Sequence, residues 1–310
     1  MSDTLASLRH KIDGADKLES VVRTMKVMAA ASIGQYEAAA RALADYECAL
    51  NLGLGACLRQ SGTVASPPNK NDVNEISAII FGSDQGLVGQ FNEMMAGFVV
   101  KMLTALPGRK KIWAVGERIY SCLADAGLPP VGKFNVPNSV AAITPLVGQI
   151  QIEIEAHHGP VKFTPVYVFH NRPQIAPFYE SISQRLLPLD TEWQKGLAKI
   201  KWPTKNLPEV LGGDEETLRA LIREYLFISL YKACAESLAS ENASRLAAMQ
   251  RAEKNIDDLS AKLTQTFYRL RQSSIDEELF DVIAGFNALI KDRPLNRKNL
   301  CVAPSEEGHS

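Results

Sequence analysis

A glycine-rich loop is the first place in this sequence where chemistry could occur. Residues 82–92 read GSDQGLVGQFN and lie between a predicted strand and a predicted helix, which is where phosphate-binding loops are found. The glycine spacing does not fit G-x-G-x-x-G, and no Lys-Ser or Lys-Thr pair completes a P-loop. We therefore favour a structural turn over a nucleotide site, and we expect no cofactor.

The titratable residues also give no catalytic or metal-binding pattern. His157 and His158 are adjacent, so a helix surface cannot direct both at one metal ion. The acidic run 276–278 falls in a predicted helix, where such residues more often form a solvated face than a catalytic pair. No G-x-S-x-G nucleophile motif is present. We predict that the chain has no catalytic residues and no metal site of its own.

Composition and charge exclude several classes of protein. The 310 residues are 46% hydrophobic and carry a net charge of −1, which allows a substantial core and provides no basic surface for nucleic acid. Five cysteines without a C-x-x-C pair favour neither a disulfide framework nor a zinc site. The longest apolar run, 94–106, is interrupted by Lys101, so we expect neither a signal peptide nor a transmembrane segment.

Two long helices are predicted at the ends of the chain. Residues 214–290 contain no proline and only one glycine, and as a single helix they would extend on the order of 110 Å. Residues 1–60, also free of proline, are the expected antiparallel partner. A seven-residue repeat predicts a left-handed coiled coil. Its two expected seam rows are Met249, Ile256, Leu263 and Leu270, and Ala252, Leu259, Thr266 and Ser273.

An α/β domain is predicted between these helices. Residues 75–188 alternate short apolar strands with helices, which favours a mainly parallel sheet. The predicted fold class is therefore a long antiparallel coiled coil with an inserted Rossmann-like α/β domain. Residues 189–213 are expected to be a linker and 291–310 a flexible tail. Strands are expected at 76–81, 111–115, 161–169 and 179–187, and helices at 91–106, 118–126 and 140–155.

The C-terminal helix is predicted to be longer than its partner. If the two pair residue for residue, about 20 residues of the second, or ~30 Å, have no partner. A row of apolar side chains in that segment requires a covering surface, so we predict that another protein surrounds it. The row consists of Ile275, Leu279, Val282, Ile283, Phe286 and Leu289.

Several motifs, in the same order, make the chain resemble the gamma subunits of rotary F-type ATP synthases, which are central rotor shafts. At the N-terminus, 8–12 (LRHKI) and 22–32 (VRTMKVMAAAS) are similar to the family's IRxKI and ITKAMxMVAASK. The loop 82–92 is similar to SDRGLCGxxN. In the C-terminal helix, 238–249 (LASENASRLAAM) resembles LASExxARMxAM, and 271–279 (RQSSIDEEL) resembles RQAxITxEL.

This resemblance implies a function and a set of partners. In the family the helical hairpin stands inside a ring of three catalytic and three non-catalytic ATPase subunits, and the α/β domain forms a foot on the membrane rotor ring, with an epsilon subunit as a further partner. The chain would couple the flow of protons or sodium ions to ATP synthesis or hydrolysis by rotation. It would be peripheral on the cytoplasmic face of a bacterial or archaeal membrane.

The resemblance also implies contact residues. Arg23, Met25 and Lys26 would lie near an acidic loop of a catalytic subunit, and the apolar tip would turn within an apolar sleeve of the ring. Arg245 and Gln272 match positions that grip the ring at a second place. Asp276 and Glu278 lie beside them.

The chain departs from the family pattern at several positions. Residues 33–36 carry no charge where the family usually has a basic patch, and Asp276 replaces the usual threonine. Two alternatives therefore remain open. An α/β enzyme with a helical dimerisation arm would bind a small ligand by itself. A coiled-coil scaffold or tether would form a stable homodimer without any ATPase partner.

Overall fold

The chain forms two compact units in the computed structural model, which describes residues 4–61, 75–157, 164–174, 179–206, 208 and 214–291. One unit comprises Met1–Glu19 and Asn255–Ser310, and the other comprises Ser20–Lys254. The described part of the first unit consists of segments of two helices, whereas the second unit contains a sheet and the helices around it.

The described residues form helices at both ends of the sequence and an α/β arrangement between them. The short segment Val140–Ala142 is a 3₁₀ turn. The elements are α1 (Leu5–Ala42), α2 (Ala44–Ser61), β1 (Glu75–Phe81), α3 (Phe91–Thr104), β2 (Arg109–Val115), α4 (Glu117–Asp125), β3 (Gly132–Phe134), α5 (Ile143–His157), β4 (Val166–Pro173), β5 (Tyr179–Leu187), α6 (Thr191–Lys199) and α7 (Asp214–Lys291).

Five strands of the described residues form one sheet in the order β3-β2-β1-β4-β5. β1 pairs in parallel with β2 and β4, and β2 pairs in parallel with β3, whereas β4 and β5 are antiparallel. The predicted mainly parallel sheet is therefore confirmed, and β5 occupies the predicted residues. The sequence pattern missed β3 because three residues are too few to show a period.

Alternate residues of the central strand β1 enter two different cores. Ile79 and Phe81 pack with α5 and α7 on one face of the sheet. Ala78 and Ile80 pack with α3 and α4 on the other face. This two-residue alternation explains why β1 reads as a continuous apolar run, since both faces of the strand are buried.

The segment of α7 beside the sheet is buried on most of its circumference. Leu230 and Ala235 have no exposed surface, and Ala233 and Cys234 are 1% exposed. A third apolar cluster places α2 and α6 against the preceding turns of α7, around the buried Ile228. The alanine-rich composition of this segment is therefore a consequence of close packing as well as of helix propensity.

Half-buried and buried side chains follow a heptad pattern along the N-terminal helix. Spacings of three and four residues alternate, as expected for one seam of a coiled coil. The pattern continues past Leu43, the residue between α1 and α2. Its positions are Leu5, Leu8, Ile12, Ala15, Glu19, Val22, Lys26, Ala29, Ile33, Tyr36, Ala40, Leu43, Glu47 and Leu50.

The predicted first seam row of α7 is buried or half-buried throughout, and Ala252 and Thr266 of the second row are half-buried, but the other two members of that row are not. Leu259 is 51% exposed and Ser273 is exposed, so these two residues are not in the seam. The prediction was wrong because it favoured Leu259 as the apolar residue, whereas the polar Ser260 next to it is half-buried. The half-buried seam positions of the segment that follows Lys254 include Ile256, Ser260, Leu263, Phe267, Leu270 and Ser274.

Two other expectations about helices were wrong. The N-terminal arm is not one helix, since α1 ends at Ala42 and α2 begins at Ala44. Asp45 and Glu47 lie in the first turn of α2, where negative charge favours a new helix N-terminus. The expected linker after β5 contains α6, which buries Leu197 against α2 and α7.

Candidate partner-binding surfaces

The loop that resembles a phosphate-binding turn uses its polar groups within the fold. The Ser83 backbone N–H donates to Asn92 Oδ1 (3.0 Å), and Asn92 Nδ2 donates to Ser83 Oγ (2.8 Å). The Asp84 carboxylate accepts from the backbone N–H groups of Glu117 (3.0 Å) and Val136 (3.1 Å). These bonds connect the loop to the start of α4 and to the segment after β3, which is the structural role favoured from the sequence.

Two glycines allow this close packing. A Cβ at Gly82 would lie 2.3 Å from the Cβ of Ile119 in α4. Gly116 has a φ of +121°, and a Cβ there would lie 2.6 Å from the Ser83 carbonyl oxygen. Both positions therefore require glycine.

A cavity of about 360 Å³ brings together two of the predicted contact residues, Met25 of α1 and Arg245 of α7. Tyr36, Asp84 and Glu241 also line it. Burial raises the pKa of the Tyr36 hydroxyl, and the negative charge of Glu241 raises it further. The cavity thus joins the seam of the two helices to the loop at residues 82–92.

Arg245 is held in place by its own helix. Its guanidinium bonds Glu241 Oε1 through Nη2 and donates to Asn242 Oδ1 through Nη1 (3.3 Å). Burial raises the pKa of Glu241, while the Arg245 charge opposes this effect. The side chain of Arg245 is 16% exposed and that of Glu241 only 6%. Arg245 is therefore a fixed, largely buried cation with a limited solvent-facing surface.

Lys26 also has a partner within the chain. Its Nζ lies 2.6 Å from Glu253 Oε2 of α7, and the two side chains are 30% and 22% exposed. The sequence did not identify Glu253, because the predicted second seam row contained Ala252, the residue before it. Arg23 on the same helix is exposed and Met25 is half-buried.

The remaining predicted polar contacts lie in the last third of α7. Gln272, Asp276 and Glu278 are all exposed. They belong to the unit formed by the two chain ends, whereas Arg23, Met25, Lys26 and Arg245 belong to the other unit. The structure thus brings Met25 and Arg245 together at one cavity, and it describes Gln272, Asp276 and Glu278 as separate exposed residues of one helix.

The apolar tip is exposed to solvent, as the unequal helix lengths predicted. Every described side chain from Ile275 to Ala288 is exposed, although α7 continues to Lys291. Phe280, which the prediction omitted, is also 69% exposed, and the side chain of Leu289 lies outside the described residues. The exposed fractions of the predicted row are 55% for Ile275, 56% for Leu279, 69% for Val282, 45% for Ile283 and 63% for Phe286.

A buried polar cluster joins β4 to α7. His170 Nε2 lies 2.8 Å from Glu236 Oε2, which also accepts from Arg172 Nε at 3.2 Å. Burial lowers the pKa of His170, although Glu236 opposes this effect. Burial alone would raise the pKa of Glu236, but the hydrogen bonds and charges of His170 and Arg172 bring it below the ordinary value. The Glu236 carboxylate thus lies within hydrogen-bond distance of both His170 Nε2 and Arg172 Nε.

Within the ranges that the structure describes, no three His, Cys, Asp or Glu side chains are grouped so that they could hold a metal ion. The helices in those same ranges include none that is both long and apolar enough to cross a lipid bilayer.

Comparison with known proteins identifies the family. The family model described as ATP synthase matches residues 4–289, and the curated relatives are ATP synthase gamma chains. This chain belongs to the ATP synthase gamma family. It is 23% identical over 284 residues to the gamma chain of Hydrogenobaculum sp., covering 91% of this chain and 97% of the relative. The Brevibacillus brevis gamma chain is 25% identical over 302 residues, covering 93% and 99%.

Solved structures share the fold of this gamma-family chain. A chain of the Euglena gracilis mitochondrial ATP synthase OSCP/F1/c-ring structure in rotational state 3 has a TM-score of 0.68 at 16% identity, covering 96% of this chain and 98% of that one. A chain of the Tetrahymena thermophila central stalk/c-ring structure has a TM-score of 0.53 at 21% identity, covering 75% and 99%. Long terminal helices around a mixed α/β region are therefore the fold of the family.

Proposed function

We propose that this gamma-family chain is the central stalk of an F-type ATP synthase. Its two terminal helices turn inside a ring of three catalytic and three non-catalytic subunits, and this rotation couples the flow of protons or sodium ions to ATP synthesis or hydrolysis. The exposed apolar row from Ile275 to Phe286 carries the proposal, because a helix that ends in such a row requires an enclosing apolar surface.

The described residues suggest how an asymmetric shaft would act on identical subunits. A helix pair has different side chains on each face, so it presents a different surface to each of three equivalent neighbours. Shifting one two-state subunit from 1:99 to 99:1 requires ~5.5 kcal/mol of differential contact. An exposed ion pair contributes only roughly 0–1 kcal/mol. Several packed contacts must therefore act together.

Exposed apolar side chains on α1 are suited to supply such contacts. Val21, Val27 and Met28 are 56%, 62% and 65% exposed, next to the half-buried Met25. Each apolar side chain of this size contributes about 1.5–3 kcal/mol when it is fully buried. In this arrangement Arg23, Arg245 and Gln272, with the acidic Asp276 and Glu278, tune the contacts rather than supply most of their energy. Removal of one charge should slow coupling without abolishing it.

The other partners follow from the same proposal. The α/β domain contacts the membrane rotor ring and an epsilon subunit. The chain is therefore peripheral on the cytoplasmic face of a bacterial or archaeal membrane. No nucleotide-binding or catalytic role is assigned to the chain itself, since the loop at residues 82–92 uses its polar groups to hold α4 and the segment after β3.

Co-expression with candidate ring subunits tests the proposal. The chain should be recovered in a complex with ATPase activity at one copy per ring. The triple variant Phe280→Ser, Val282→Ser, Phe286→Ser should lower that activity at least about tenfold, because a loss of only ~1.4 kcal/mol of coupling already has this effect. The thermal midpoint of the chain alone should not change, since all three side chains are exposed.

A matched control uses apolar residues of the α/β unit that are equally exposed. Leu87, Val131 and Ile152 are 63%, 59% and 64% exposed, and their triple serine variant should leave the activity of the soluble ring complex unchanged. Equal activity of the tip variant and wild type would contradict the proposal. A stable homodimer that binds no ring subunit would instead support the scaffold alternative.

A further inference from the structure

Two ion pairs among the described residues, each between an N-terminal helix and α7, have the same alignment. Lys26 pairs with Glu253 at 2.6 Å, and Lys232 pairs with Glu47 at 2.9 Å. Lys26 and Glu47 are separated by 21 residues, and so are Lys232 and Glu253, which is three heptads on each helix. One antiparallel alignment therefore produces both pairs. All four residues belong to the unit that contains the sheet.

The four charged residues occupy seam positions that are otherwise mainly apolar. Lys26 and Glu47 fall in the alternating three-and-four pattern of α1 and α2, between Val22 and Ala29 and between Leu43 and Leu50. Glu253 continues the corresponding pattern of α7, three residues before the half-buried Ile256. The Lys26 and Glu253 side chains are only 30% and 22% exposed, so this ion pair is partly buried.

The sign of the charges alternates between the two pairs. The N-terminal arm contributes the lysine to one pair and the glutamate to the other. A shift of seven residues would preserve the heptad match but would remove all four partners. Lys26 would then meet Leu246 or Ser260 in place of Glu253, and Glu47 would meet Tyr225 or Ala239 in place of Lys232.

We propose that Lys26–Glu253 and Glu47–Lys232 are a register lock, which selects one alignment of the two terminal arms against the heptad-shifted alternatives. The seam side chains Ala29, Ala40 and Ala239 are small, so they contribute little by themselves to the choice of alignment. A polar residue such as Asn or Lys at a seam position can specify the register of a coiled coil. The same charges disfavour a parallel pairing of two copies, in which Lys26 would meet Lys26.

This inference concerns the alignment of the helices within one chain. It holds whether or not the chain turns inside a ring, so its test does not require any partner protein and is independent of the test of the proposed function.

Spin-label distances in the full-length chain test the lock directly. Ala30 and Gln250 are both exposed, so cysteines there can carry labels in a background in which the native cysteines are replaced. Wild type should give one distance. The variant Lys26→Leu, Glu253→Leu keeps an apolar seam but removes one ion pair. It should show a second population of label distances, in which one label has moved along the helix by ~10 Å, the rise of seven residues.

Charge exchange separates a pair-specific effect from a general structural one. Lys26→Glu and Glu253→Lys should each lower the unfolding midpoint by about 1–3 °C, and the double exchange Lys26→Glu, Glu253→Lys should restore both the midpoint and the single distance. The control variant Arg223→Gln, Glu155→Gln removes an exposed ion pair outside the seam and should leave the distance unchanged. A single wild-type distance in the Leu/Leu variant, or no rescue by the double exchange, would overturn the lock.

Discussion

Two segments of α7 have apolar side chains in similar proportion and opposite surroundings. Leu230 and Ala235 are completely buried beside the sheet, whereas Val282 and Phe286 are 69% and 63% exposed. The first segment is covered by the chain's own strands and helices, and the second has no cover among the described residues. The contrast shows that an apolar row on a helix indicates that a cover is needed, but does not indicate which molecule supplies it.

Substitution in the buried segment should have the largest effect on stability. Leu230→Ala removes a fully buried side chain from the core between α7, α5 and the sheet, and should lower the free energy of unfolding by about 2–5 kcal/mol. Urea denaturation of the purified chain measures this loss. Val282→Ala on the same helix should change it by no more than about 0.5 kcal/mol, because that side chain is already in water. Similar losses at both positions would mean that Val282 is covered within the chain.

Two glycines of the loop that follows β1 allow a second comparison. Gly82→Ala would place a methyl group 2.3 Å from the Ile119 Cβ, and α4 would have to move. We expect a loss of about 1–3 kcal/mol. Gly86 has no neighbouring atom within 4 Å of an added Cβ, so Gly86→Ala should be nearly neutral. Thermal unfolding of the two variants checks the difference, and an undisturbed midpoint for Gly82→Ala would show that the loop is not tightly packed against α4.

The sequence predicted those parts of the fold that follow a regular period. The strands Glu75–Phe81 and Tyr179–Leu187 and the helix that begins at Phe91 were found because each is long enough to show an apolar run or a repeating pattern. The three-residue strand β3 and the break at Leu43 were missed, since neither leaves a periodic signal. Two members of the second seam row were wrong, since Leu259 and Ser273 are exposed and the polar residues that follow them, Ser260 and Ser274, are half-buried.

The intrachain partners of the candidate contact residues were not predicted, for a physical reason. A charged residue in a motif can face a partner protein or its own chain, and sequence alone does not distinguish these cases. Lys26 and Arg245 both have acidic partners within the chain, and those partners, Glu253 and Glu241, lie 227 and 4 residues away in sequence. The apolar row of the tip is exposed, as expected for a helix without a partner, and its enclosure by another protein stays a prediction.

The pH dependence of the free energy of unfolding should depend on residues beside the buried segment of α7 and not on residues of the exposed tip. Burial lowers the pKa of His170 in the folded state, so below the unfolded value of about 6.5 the unfolded chain binds more protons and stability falls as the pH decreases. Glu236, whose folded pKa is also lowered, contributes a further loss nearer pH 4. The variant His170→Gln should therefore show a flatter dependence of the free energy of unfolding on pH between 7 and 5.

Three charged groups lie near His170 and are unchanged by this substitution. Arg172 and Lys232 oppose protonation of His170, whereas Glu236 favours it, and all three remain in the His170→Gln variant. Glu278→Gln changes an exposed carboxylate of the tip and should leave the slope between pH 7 and 5 as in wild type. If His170→Gln retained the wild-type slope, the acid sensitivity would have to come from other histidines.

The smallest expected effect comes from replacing a glycine with alanine in α3 and, separately, in α7. Gly97 of α3 and Gly285 of α7 both have open space around an added Cβ, and alanine favours a helix over glycine by about 0.5–1 kcal/mol. Gly97→Ala should raise the global unfolding midpoint because α3 packs on the sheet and unfolds with it. Gly285→Ala should slow amide hydrogen exchange only in the surrounding turns, since a helix segment without tertiary cover opens locally. A rise in the global midpoint for Gly285→Ala would mean that the tip unfolds together with the core, and the contrast between the two segments of α7 would then be one of exposure but not of stability.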